Sequence, residues 1–585
     1  MTLATLSSLL PLPVVIPIVG AVCAPLAARI DRRLPLVICM VALAASTVIL
    51  ALFAGRVYGS GTVLVEYIGR VLPVGGRALG IAFAADPLGL TYALACTTIG
   101  GVLLLSTLSE LSGLGSKELG GYACLFQLLI AALIGSALTG DLFNLFVWFE
   151  VAALASYGLT GFFLERPIAL EAAFKILVLT TLASFAVFIG AALLYSNHGA
   201  LNFGQLHRAL AGHAHTADMV ALALLICGFA TKAGLMPFHC WLPDAHTAAP
   251  GPVSALFSGL MVNLGIVAIV RVALQVYGSG TGRPVLGLLM GLGIVSAILG
   301  AVMALAQDDL KRLLAYDTIS QIGVLMVGFA SETPDGVAGA TYHLVNHGLF
   351  KALLFLCAGA IVHATGLTKL SEMGGLGRHR PGLAIAFTAG VVAIAGIPPL
   401  NGYVSLGLIH DGLTSSGQPL VFAAMLVAQT ITIAALGRAA YLAFFRRRPE
   451  PYPEELKPLR PGMLVAFSTL SSACVVFGLF PRWILDHVAG PAAAGVLHSS
   501  LYATAVLRSG GTIGSVKVPF EYFKPTELVA VAATLAVGGL AARTYLRISE
   551  PRPIGWLRAL HNGSVNDYAA YAVLGVLGSV LLLAS

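Results

Sequence analysis

The sequence predicts an all-α polytopic membrane protein with about 14 core transmembrane helices, two inverted five-helix repeats, broken helices 7 and 12, and about two further C-terminal helices. Three observations predict it. Of the 585 residues, 58% are hydrophobic and only 10% are charged, too few charges to cover a soluble protein of this size. Apolar stretches of about 20 residues recur from end to end, each long enough to cross a hydrocarbon core about 30 Å thick. Two of those stretches are interrupted by proline, five helices apart.

In chain order, residues 1–118 carry helices 1–3, near 9–29, 35–55 and 86–108. Residues 56–85, rich in Gly and Val, form an external loop suited to a short hairpin. The first repeat, 119–276, holds helices 4–8 near 119–139, 142–164, 168–195, 217–237 and 252–276. The second, 284–446, holds helices 9–13 near 284–306, 313–331, 337–364, 383–413 and 419–446. PEPYPEELKPLRP (449–461) is too rich in proline to be helical and reads as a cytoplasmic linker. Residues 461–585 then bring helix 14 near 461–482, an external amphipathic segment or loop at 483–524, and helices 15 and 16 near 525–545 and 567–584. No small-residue cleavage site follows the first span, so it reads as retained rather than as a signal peptide.

The net charge of +7 is not a nucleic-acid signature, because the basic residues sort by loop. ARIDRR (28–33), QDDLKR (307–312), GRHR (377–380), RRR (446–448) and LRISEPRPIGWLR (546–558) all fall on one side of the predicted spans. The positive-inside rule makes that side cytoplasmic and puts both termini outside a cell membrane, inner or plasma. Eight cysteines are scattered singly with no CxxC or CxxH spacing, so they read as small core residues, with no metal or cofactor site among them.

Helix 7 is expected to break at Pro237 and again at Pro243, and helix 12 at Pro398 and Pro399, beside Gly402. Proline removes a backbone donor and clashes with the preceding turn. In lipid the freed carbonyls need internal partners, so such breaks survive where they face protein or a wet cavity. Charges accompany the breaks. Glu150 lies about two turns into helix 5, Lys175 about two turns into helix 6, and Lys232 deep in helix 7. A charge at the bilayer centre costs at least about 2.5–3.5 kcal/mol, so each needs a partner or a hydrated path. Glu150 and Lys232 read as a couple whose opening or closing moves a proton; the alternative is a purely structural ion pair. For Lys175 the alternative is a local pair with Glu171.

On helix 11, His343, His347 and Lys351 recur at spacing four, a stripe about 12 Å long on one face. Three ionisable groups in register point to a proton relay, against the plainer reading of hydrogen-bonded packing residues. Asp308, Asp309, Lys311 and Arg312 read as solvated topology markers, and Arg271 is expected to snorkel outward from the end of helix 8.

At these residues the chain resembles a known family. DLFNLFVWFE (141–150), TKAGLMPFHCWLPDAHTAAPGPVSAL (231–256), DLKRLLAYDTISQIG (309–323), HLVNHGLFKALLF (343–355) and GIPPLNGY (396–403) are similar to motifs of the proton-conducting antiporter-like membrane subunits. These occur in complex I, in group 4 membrane-bound hydrogenases and in Mrp-type cation/proton antiporters, and DLFNLFVWFE looks most like the Mrp D-type subunit and its hydrogenase relatives. The resemblance spans roughly residues 85–482. It implies a 14-helix core with two inverted repeats, and an ion path through Glu150, Lys175, Lys232, His343, His347 and Lys351.

Two positions depart from the family pattern. Ser258 and Asn263 stand where many relatives carry a lysine or histidine on helix 8, and Leu406 stands where helix 12 usually carries Lys or Glu. His410, with Asp411 beside it, is the candidate substitute one turn further on. The resemblance implies a subunit of a hetero-oligomeric membrane complex that moves protons, with sodium as the candidate counter-ion, and without nucleic acid as a partner. The alternatives are an ion-pumping module of a redox complex, whose redox chemistry would belong to partner subunits, and a scaffold with reduced conduction.

Overall fold

The computed structural model describes residues 3–111, 113–212, 214–278, 283–448, 452, 456–508, 510–545, 555, 561 and 563–584. Among these, 15 helices are long and apolar enough to cross a membrane. The remaining expected span, helix 12, is present as Pro381–Ile394 and Asn401–Ser415, each too short alone. The basic run at 546–558 and much of the linker at 449–461 lie outside the described residues.

Helix 8 (Gly251–Val276) and helix 10 (Leu310–Ala330) are 100% buried and helix 11 (Pro334–Thr365) is 83% buried, whereas helices 15 and 16 (Pro525–Tyr545, Val565–Ala584) are only 22% and 17% buried. Helices 8, 10 and 11 therefore form the centre, and the C-terminal pair forms a rim. Small residues let the central backbones touch. A Cβ on Gly265 would stand 2.5 Å from Phe229 O and Ala233 N of helix 7, so only glycine permits that crossing. Gly323 of helix 10 meets Gly293 and Ala297 of helix 9 (Arg283–Leu305) in the same way.

Residues 56–85 form the expected hairpin: β1 (Thr62–Tyr67) pairs antiparallel with β2 (Ala82–Ala85), Val65 opposite Ala84. A third strand, β3 (Gly511–Thr512), completes the sheet from the other edge of β1.

The segment 483–524 differs from expectation. Pro481–Leu507 is almost wholly helical, in short pieces, and its GPAAAGV stretch is fully buried in the protein. Its glycines and alanines let this segment press against the ends of helices 3 and 8, so it packs where an amphipathic surface loop was expected. It closes over Arg271, whose predicted place is also corrected. Arg271 is 0% exposed and paired with the equally buried Asp86 at the start of helix 3. Its guanidinium also donates to Gln275 Oε1 at 2.8 Å and to Ala137 O at 3.1 Å, and stacks 5.2 Å from the Tyr502 ring centroid. The π-helical turn Val270–Val276 occurs within this last part of helix 8. Snorkelling would have left Asp86 buried and alone.

Asp86→Ala and Arg271→Ala should each strand a buried charge and destabilise the protein by about 3–5 kcal/mol. The double change Asp86→Ala with Arg271→Met should recover much of that loss. Thermal unfolding in detergent reads the difference, and a double variant as unstable as the sum of the singles would contradict it.

Candidate functional site

Helix 7 runs from Thr216 to Ala233 and ends on Gly234, whose φ of 73° is left-handed. The chain then turns through Pro237 and resumes as Trp241–Ala248. The groups freed by the break are met from inside. Trp241 Nε1 donates to Thr231 O at 2.6 Å, and Met236 N donates to Ser296 Oγ of helix 9 at 2.9 Å. Helix 12 breaks alike around Pro398 and Pro399, with Gln429 Nε2 donating to Ala395 O at 3.1 Å and Asn346 Nδ2 to Asn401 O at 2.9 Å. Both expected interruptions are present, and each faces protein. Pro243 falls inside the second piece of helix 7 without breaking it, because a proline in the first turn forfeits no intrahelical hydrogen bond.

Lys232 is 0% exposed in the last turn before the break. Its Nζ lies 5.4 Å from the Phe149 ring centroid, and Glu150 is the next residue along helix 5 (Leu142–Thr160). Among the described residues, neither Lys232 Nζ nor Glu150 Oε1 has a hydrogen-bond partner. The two charges share a neighbourhood and act on one another electrostatically, with the cation set against an aromatic face.

Lys175 makes the local pair with Glu171 and a second pair that was not expected, with Asp244. Its Nζ is 2.6 Å from Glu171 Oε1 and 2.9 Å from Asp244 Oδ2. Arg312 NH1 takes the other Asp244 oxygen at 2.9 Å. Helices 6 and 10 are thus joined through the second piece of helix 7. Lys311 Nζ donates to Ala249 O at 2.8 Å, in the bend between helices 7 and 8. Lys311 and Arg312 are therefore half-buried clamps rather than solvated markers, because helix 10 enters the bundle directly beneath that bend. Asp308 and Asp309 remain near the surface, where Asp309 caps helix 10 by accepting from Arg312 N at 2.9 Å.

The helix 11 stripe is buried throughout. Lys351 pairs with Asp317 of helix 10, both at 0% exposure, and donates to Leu314 O at 3.3 Å. His343 bonds through Nδ1 to Ser405 Oγ at 2.9 Å, in helix 12 beyond its break, and through Nε2 to Gln321 Oε1 of helix 10 at 3.1 Å. His347 lies between them, and among the described residues neither of its ring nitrogens has a hydrogen-bond partner. Asn263 Nδ2 donates to Leu344 O of helix 11 at 3.2 Å, and Ser258 Oγ lies 2.7 Å from Thr318 Oγ1 of helix 10. Both departures of helix 8 therefore face the same central groups as the stripe.

Leu406 and His410 line one small cavity with Gln321 and Gln429, holding about 10 Å³ of water-accessible space, enough for roughly one molecule. The same Gln321 bonds His343. On its other side His410 Nδ1 meets Glu527 Oε2 of helix 15 at 3.3 Å, and Asp411 pairs with Lys524.

Sequence reasoning missed four groups here. Asp317 had a usable signal, a carboxylate inside an apolar helix, the same signal that picked out Glu150. Asp244 and Gln321 lay inside the family-like motifs without a periodic cue. Glu527 had none, since its partner is 117 residues away.

Residues 139–432 match the family model described as NADH:quinone oxidoreductase/Mrp antiporter, TM. The chain is 31% identical over 446 residues to the D-type subunit of the Na(+)/H(+) antiporter of Bacillus subtilis (strain 168), covering 75% of this chain and 88% of that one. It is also 31% identical over 422 residues to the N-type subunit of the NADH-quinone oxidoreductase of Desulforudis audaxviator, covering 70% and 84%. With Hydrogenase-4 component B of Escherichia coli K12 it shares 34% identity over 407 residues, covering 66% of this chain and 60% of the relative. Among solved structures, a chain of the Mrp complex from Dietzia sp. DQ12-45-1b superposes with a TM-score of 0.78 at 26% identity, covering 86% of this chain and 100% of that chain. A chain of the archaeal membrane-bound sulfane sulfur reductase does so with a TM-score of 0.77 at 26% identity, covering 85% and 99%. Spanning helices, paired breaks and matching motifs lead to one conclusion: this multi-pass membrane chain belongs to the NADH:quinone oxidoreductase/Mrp antiporter transmembrane family.

Proposed function

We propose that this chain is a proton-translocating subunit of a multisubunit cation/proton antiporter of the Mrp type, with sodium as the exchanged ion. The observation that carries this reading is a set of polar and ionisable groups inside the bundle. It comprises Lys175 with Asp244, Lys232 against Phe149 beside Glu150, and the stripe of Lys351, His347 and His343, where Gln321 bonds His343 and lines the cavity of His410, which meets Glu527. Inside a membrane such groups are expensive and mark ion pathways. Helices 4–8 and 9–13 act as two inverted repeats, each with a broken helix whose halves adjust around the path. The basic loops face the cytoplasm and both termini face outward from the cell membrane.

A second reading shares the same path: a pumping module beside a redox arm. The likeness to a reductase complex and to a hydrogenase component favours it. Isolation of the intact complex separates the two, since iron–sulfur subunits would accompany this chain only in the redox case. In the third reading, a scaffold, the path is structural, and Leu406 is its support.

Glu150→Ala and Lys232→Ala should each cut ion-driven proton movement in vesicles carrying the whole complex by at least about tenfold, equivalent to about 1.4 kcal/mol of barrier. Wild-type rates in both variants would remove the couple from the mechanism.

His347→Ala should slow transport far more than it lowers the amount of assembled complex. An imidazole can accept a proton on one nitrogen while donating from the other, which alanine cannot do. Equal losses in rate and in assembly would make His347 a packing residue.

His410→Ala should abolish coupling, and adding Leu406→Lys should restore part of it, because both side chains line the same cavity. Unchanged transport in His410→Ala would favour the scaffold reading for the second repeat.

A further inference from the structure

We propose that His239, Cys240 and His561 form a binding site for a divalent transition-metal ion of the zinc class, tying the C-terminal helix to the break in helix 7. His239 and Cys240 are buried in the turn between the two pieces of helix 7. His561 is half-buried and comes from just ahead of helix 16. One ligand atom from each lies within 4.8 Å of the others. The two histidines face one another, Nε2 to Nε2 at 2.6 Å, with ring centroids 4.9 Å apart.

Two imidazole nitrogens 2.6 Å apart stand at the distance of a shared proton, and on a shared ion the pair would open to about 3.3 Å. The buried thiol beside them favours the metal. A shared proton needs no third donor atom, whereas zinc-class ions are held by imidazole nitrogen at about 2.0–2.1 Å and thiolate sulfur at about 2.3 Å. Ligand atoms on a tetrahedral ion of that size stand about 3.5 Å apart, so small side-chain rotations would open the nitrogen pair and close the longer separations, which reach no further than 4.8 Å. Imidazole and thiolate ligands also select against magnesium and calcium, which take oxygen. Three protein ligands leave one coordination position open.

The approach of helix 16 is a packed one. A Cβ on Gly575 would stand 2.8 Å from Pro237 and 2.7 Å from Phe238, so this helix seats its backbone on the break itself. The His561 ring is set edgewise against Tyr316 of helix 10 at 5.7 Å. Gly563 lies beside Lys175, where a Cβ would stand 3.4 Å from Nζ. A bound ion would therefore pin helix 16 across a break that ion transport requires to move. That consequence rests on the proposed function; the binding itself does not.

The test uses the full-length chain with the subunits that copurify with it, stripped by a chelator and titrated with Co²⁺. Wild type should bind one ion per chain with a thiolate-to-cobalt charge-transfer absorption. Cys240→Ser should lose that absorption. His561→Ala should weaken binding by at least about 100-fold, the upper range seen when only an outer hydrogen-bond partner of a ligand is lost. His561 lies outside the spanning helices, so this variant decides the matter even where Cys240→Ser fails to assemble. No cobalt bound by wild type, or unchanged affinity in His561→Ala, would overturn the site and leave the histidines sharing a proton.

Discussion

The whole arrangement depends on one constraint: in hydrocarbon, a backbone group or a charge left without a partner in the protein is costly. This is why the two broken helices point inward. Trp241, Ser296, Gln429 and Asn346 each meet a backbone group at or beside a break. It is also why helices 8, 10 and 11, which carry or face the charges, are the most enclosed of the bundle. The same constraint explains Arg271. Its guanidinium cannot be left in lipid, and Asp86, Gln275 and Ala137 O meet it inside a lid made from the chain after helix 14.

Within that frame the buried charges fall into two kinds. Lys351 with Asp317 and Lys175 with Asp244 are paired, so moving a proton through either means breaking an ion pair. Lys232 and Glu150 are neighbours without a direct bond, held against Phe149. A pair already satisfied resists change, whereas an unsatisfied buried charge responds to small shifts in its surroundings. His347, between a hydrogen-bonded histidine and a paired lysine, has the same open character.

The segment after residue 480 has a larger part than its position near the rim suggests. Its short helices close over Arg271, β3 extends the outer hairpin, and helix 15 brings Glu527 to His410. Helix 16 rests against the break in helix 7. Each broken helix thus has one C-terminal helix packed against it or against the helix beside it, and in the second half that helix brings the Glu527 carboxylate to His410.

The amino-acid sequence by itself determined the spans, because a run of about 20 apolar residues has no other economical fold. It determined both breaks, since proline beyond the first turn of a helix removes a donor the helix needs, and it placed Glu150, Lys175, Lys232 and the helix 11 stripe by the high cost of isolated charge in lipid. Those are local properties, readable within a turn or a span. Partnership is different. That Lys351 meets Asp317, that Arg271 turns inward to Asp86, that 490–496 is buried, and that His561 reaches His239 were decided only by the tertiary structure. Each joins residues 34 to 322 positions apart or sets a helical face against a neighbour, and periodicity along one helix says which face is polar without saying what stands opposite it.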